Sequence, residues 1–116
     1  MLKRVNRLKK RYQFNYVYKA GAHFSDKALV LYVTPAKTKS IKIGFSVTKK
    51  IGKAVVRNFT KRRLREIVAK QLPNLKQNYN IIVVAKDNIS SFSFADLEKQ
   101  FAKLLSQAEL FNEKSV

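Results

Sequence analysis

Apolar residues recur along this chain with two different periods, and the switches between them mark out the elements. Residues 10–20, KRYQFNYVYKA, space Phe14, Val17 and Tyr18 as a short helix does, and Gly21 ends it. Residues 28–34, ALVLYVT, predict a strand, and TPAKTKS a connecting loop. Over residues 41–48 the alternation is clean, with Ile41, Ile43, Phe45 and Val47 on one face and Lys42, Gly44, Ser46 and Thr48 on the other. After a Lys-rich loop, residues 55–72 predict a helix stopped by Pro73; Thr60, Leu64, Ile67 and Gln71 share one arc, with Val68 and Leu72 at its border. The β-branched run YNIIVVAK, 79–86, predicts the most buried strand. Ser93 and Asp96 have the spacing of a capping box opening a last helix, with Phe94, Leu97, Phe101, Leu104, Leu105 and Ala108 inward. Residues 1–9 read as an extended basic arm, and no repeat or linker divides the chain. The pattern predicts one α+β domain over 1–116, a two-layer sandwich of three helices on a small mixed sheet of about four strands, in the order helix, strands, helix, strand, helix.

Charge changes what the second helix is for. At about 100° per residue, Arg57, Lys61 and Arg65 stack one above another, and Asn58 and Arg62 form the adjacent row. A helix with one apolar face and one cationic face docks on a core and presents the cations to a polyanion. The whole chain bears this out: net charge is +18, yet residues 1–70 hold 20 of the 25 basic side chains and only Asp26 and Glu66 as acids. Residues 71–116 are balanced, five against five. Charge concentrated this way repels itself unless a partner neutralises it, and phosphates do so with release of counterions, which makes nucleic acid the expected partner.

Self-contained catalysis has little to work with. There is no Cys and one histidine, His23, which reads as a surface or packing residue. The seven carboxylates are scattered, and Asp96 and Glu98, two apart on a helix, face different ways. Neither a two-histidine acid–base pair nor a carboxylate metal cage is available, and the chain alone reads as no hydrolase. The lack of Cys is compatible with a reducing cytosol, the N-terminus lacks the apolar run of a signal peptide, and no stretch is long and apolar enough for a membrane span. Binding features are dense by comparison. Phe14, Tyr18 and Tyr32 are candidates for stacking unpaired bases. Core packing is an equal reading for Phe14, while the hydroxyls of Tyr18 and Tyr32 favour a wet cleft. Lys49, Lys50 and Lys53 surround Ile51-Gly52 just before the basic helix and extend its positive surface.

The run Lys49-Lys50-Ile51-Gly52-Lys53-Ala54-Val55, followed by Arg57, Asn58, Lys61, Arg62 and Arg65, resembles the motif of the protein subunit of bacterial ribonuclease P. Arg7-Leu8, Phe14, the Tyr32 strand and the length agree with it, and the resemblance covers essentially the whole chain. It implies a monomeric, cytoplasmic RNA-binding subunit of a ribonucleoprotein endonuclease that removes the 5′ leader from precursor tRNA. In it, the catalytic site and most of the Mg²⁺ belong to the RNA. It further implies that Arg57, Asn58, Lys61, Arg62 and Arg65 contact the catalytic RNA, with Lys49, Lys50 and Lys53 beside them. A cleft of Phe14, Tyr18, Tyr32 and Ser46 would take the leader, and the crossover around the basic helix would be left-handed. One position departs from the family pattern: Phe59 stands where many members carry a third basic residue. The alternative is a ribosomal or other structural RNA-binding protein, which would share charge and fold type.

Overall fold

The computed structural model describes residues 7–8, 10–37 and 40–111. Its elements are α1 (Arg11–Ala20), β1 (Ala22–Ser25), β2 (Leu29–Pro35), β3 (Lys42–Ser46), α2 (Ala54–Gln71), β4 (Tyr79–Ala85) and α3 (Phe94–Gln107). A short 3₁₀ turn, Lys49–Ile51, precedes α2, and another, Leu72–Asn74, follows it. The four strands form one mixed sheet in the order β1-β2-β4-β3. β1 and β2 are antiparallel, as are β2 and β4, while β3 runs parallel to β4. The β3–α2–β4 connection therefore joins neighbouring parallel strands, and β3 forms one edge. The α+β class, the helix count and the strand count match the reading of the sequence.

Strand alternation divides the sheet into two unlike faces. Ile43, Leu31, Val33, Ile81 and Val83 point into the main core, where Leu64, Ile67 and Val68 of α2 meet Leu97, Phe101, Leu104 and Leu105 of α3. Burying each of these large side chains stabilises the fold by roughly 1.5–3 kcal/mol. On the opposite face a smaller cluster joins Leu8, Val17 of α1 and Ile82, with Phe14, Tyr32 and Val84 packed beside it. Thus α2 and α3 complete a two-layer sandwich, and α1 covers only part of the other side. That partial cover creates the site.

Details differ from expectation where local pattern is weak. β1 was not foreseen, because AHFS offers Phe24 alone to the core; the strand exists through its ladder to β2, with His23 opposite Tyr32. In α2 the buried residues are Thr60, Leu64, Ile67 and Val68. Val68 thus lies fully inside and Gln71 only half-buried, since the branched apolar chain gains more from the core than the amide does. The Ser93 capping box is present: Asp96 N–H donates to Ser93 Oγ at 3.1 Å, and Ser93 N–H to an Asp96 carboxylate oxygen at 3.3 Å. The basic arm enters the description only at Arg7 and Leu8, where Leu8 N–H donates to Ile43 O at 2.9 Å and Arg7 bridges to the β3 edge.

Candidate nucleic-acid interface

The cations of α2 occupy that helix face because its apolar residues leave them no other. With Leu64 and Ile67 held against the sheet, Lys61 and Arg65 fall on the flank beside β3 and Asn58 and Arg62 on the outer surface. Lys61 and Arg65 line a groove of about 230 Å³ together with Arg7, Leu8, Phe14, Gly44 and Phe45. Arg57, one turn earlier in the same column, is half-buried, and its Nε is buried with no hydrogen-bond partner. Asn58, Arg62, Lys49, Lys50 and Lys53 are exposed. Among the described residues no carboxylate pairs with Lys61, Arg62 or Arg65. The acids Glu98 and Asp26 instead meet Lys70 at 3.4 Å and Lys103 at 3.9 Å, away from the groove.

The turn before α2 adds cations by backbone geometry. Gly52 has φ +146°, a region that side chains rarely adopt, and this lets the Lys49–Ile51 turn swing into the helix within one residue. Lys53, the N-cap, supplies no side-chain acceptor to the first amides of α2. Donors without intrahelical partners thus lie beside three lysines.

The aromatic part of the site grows from Gly44. A Cβ at this position would collide with Phe14 Cζ, and would lie 2.8 Å from Cε1 and 3.2 Å from Leu8 Cβ. Only a glycine lets Phe14 settle on β3 and form the groove floor. From Phe14 a chain of rings runs along the open sheet face: Tyr18 at 6.5 Å, then Tyr32 edge-on to Tyr18 at 4.9 Å, then His23 at 5.7 Å from Tyr32. Tyr18 is exposed and Tyr32 half-buried. Ser46 shares this face by alternation with Phe45, which packs on the main core. The structure thus unites Phe14, Tyr18, Tyr32 and Ser46 on one sheet face and joins it, through Phe14, to Lys61 and Arg65. Lys49, Lys50 and Lys53 lie outside the groove lining.

Three contributors escaped the reading of the sequence. Arg7 lines the groove because its segment pairs with the edge strand, a long-range event without local signal. Phe45 reaches the groove from the core-facing row. Gly44 did carry a signal, since a glycine inside an alternating strand marks close approach of another group.

Charge and ring faces, held on a half-covered sheet, define a small basic α+β binding domain. The chain belongs to the ribonuclease P family, whose sequence pattern it matches over residues 2–109. The ribonuclease P protein component of Caldanaerobacter subterraneus subsp. tengcongensis is 37% identical over 114 residues, covering 98% of each chain. The ribonuclease P protein of Staphylococcus aureus superposes with a TM-score of 0.85 at 30% identity, over 92% of this chain and 98% of that one. The ribonuclease P protein from Thermotoga maritima shares the fold, with a TM-score of 0.79 at 24% identity over 87% and 96% of the two chains.

Proposed function

We propose that this chain is the RNA-binding protein subunit of a bacterial, cytoplasmic ribonuclease P and acts there as a single copy. It grips the catalytic RNA with Arg57, Asn58, Lys61, Arg62 and Arg65, helped by Lys49, Lys50 and Lys53. It guides the 5′ leader of precursor tRNA over Phe14, Tyr18, Tyr32 and Ser46. The observation that carries this reading is the single groove in which Lys61 and Arg65 meet Phe14. Phosphates and bases require such a pairing, because cations hold the backbone without regard to sequence while rings stack on unpaired bases. Among the described residues no three His, Asp or Glu side chains converge to hold a metal ion. We assign Mg²⁺ mainly to the RNA and its substrate. In this reading the catalytic site also belongs to the RNA, and the protein contributes positioning and charge neutralisation.

The test is turnover. The purified chain, added to the catalytic RNA at low Mg²⁺, is expected to raise the rate of precursor-tRNA 5′ cleavage, because protein cations replace part of the ionic screening. An unchanged rate despite tight RNA binding would favour a structural RNA-binding protein instead.

A further inference from the structure

Phe59 and Arg63 turn away from the groove, about 120–160° round the helix from Arg65. They face the turn Ile89–Ser91 and the start of α3, and with Val56, Ile89 and Leu97 they line a small, largely apolar dimple of about 80 Å³. The Arg63 guanidinium carbon lies 5.3 Å from the Phe59 ring centroid and 5.8 Å from that of Phe94; Lys70 Nζ lies 5.1 Å from Phe94. Arg63 is thus held over two rings, while Phe59 itself remains 54% exposed and the neighbouring Val55 78%. Val55, Val56 and Phe59 together expose apolar surface near the start of a charged helix.

Charge decides what it contacts. Arg62, Arg63 and Lys70 sit close by; Lys70 is paired with Glu98 of α3 at 3.4 Å, and Glu66 is the one carboxylate on α2, so Arg62 and Arg63 leave the flank net positive. A second copy of the chain would bring another net charge of +18 against the same cations. A single-stranded stretch of RNA brings what the patch lacks: a flat ring for Phe59 and a phosphate for a guanidinium already fixed in place. We infer that the Phe59–Arg63 flank of α2 is a stacking site for one unpaired nucleobase, which lies on the exposed Phe59 ring while Arg63 takes its phosphate. This rests on the RNA-subunit reading above and adds a second contact surface, on the side of α2 opposite the groove.

Stacking and charge separate in a salt series, because ring contacts release no counterions. The chain and its Phe59→Ala and Phe59→Tyr variants are titrated against the RNA that copurifies with the wild type. Phe59→Ala is expected to bind about 10-fold more weakly at every salt concentration, giving a parallel line, and Phe59→Tyr to stay within about twofold. Chemical probing of the bases is expected to show one unpaired base that the wild type protects and Phe59→Ala leaves reactive. Wild-type affinity in Phe59→Ala, equal losses in both variants, or a wild-type dimer in sedimentation that Phe59→Ala dissociates would each overturn the inference and leave the groove reading standing. Wild-type protein with no salt-dependent RNA affinity would overturn both.

Discussion

At the scale of single residues, the groove depends on Gly44 and the ring chain that it admits. Gly44→Ala must push Phe14 out of its seat, since the added methyl occupies the ring's space. The expected cost is about 1–3 kcal/mol, from overpacking, read as a lower urea midpoint with an unchanged m-value. Tyr18 and Tyr32 behave differently, because they meet edge-on at 4.9 Å on an open sheet face rather than in the main core. Tyr18→Ala or Tyr32→Ala should weaken precursor tRNAs with long leaders by roughly 1–3 kcal/mol per lost stack and leave mature tRNA unaffected. Equal losses for mature tRNA would reduce both tyrosines to packing.

At the scale of elements, the helices and the strands β2, β3 and β4 could be read locally, and β1 and the pairing of Arg7 could not. α2 and α3 announce themselves by period and cap, and Ser93 and Asp96 make the two reciprocal bonds that their spacing implies. β1 and the Arg7–Ile43 bridge exist only because a partner strand lies alongside, and pairing partners leave no trace in four residues of AHFS. The same holds for the groove: Lys61, Arg65 and Phe14, which line it, stand out in the sequence, whereas Arg7 and Phe45 enter through tertiary placement. Gln100 is another such case. It is buried on α3, and its Oε1 accepts the Ala28 N–H at 2.8 Å, tying the β1–β2 connection to the helix layer across 72 residues of sequence. Gln100→Leu keeps the bulk and orphans that N–H, so a loss of about 1–3 kcal/mol in thermal or urea unfolding is expected. An unaltered melting temperature would mean that the connection is held by its apolar contacts alone.

At the scale of the molecule, charge is placed rather than spread. The first 70 residues carry the whole excess, and the fold gathers Arg7, Lys61 and Arg65 from the arm and α2 around one groove. The α3 side is different, mixing Lys99 and Lys103 with Asp96 and Glu98. Removing two charges from each side separates placement from total charge, since both double variants fall by the same amount in net charge. The decisive measurement compares Lys61→Ala/Arg65→Ala with Lys99→Ala/Lys103→Ala in catalytic-RNA affinity across a salt series. A single gripping face requires the groove pair to weaken binding strongly and to lower the log K against log[salt] slope by about 2, while the α3 pair keeps the wild-type line. Equal losses and equal slopes for the two pairs would contradict it and mean that the chain binds RNA by net charge alone.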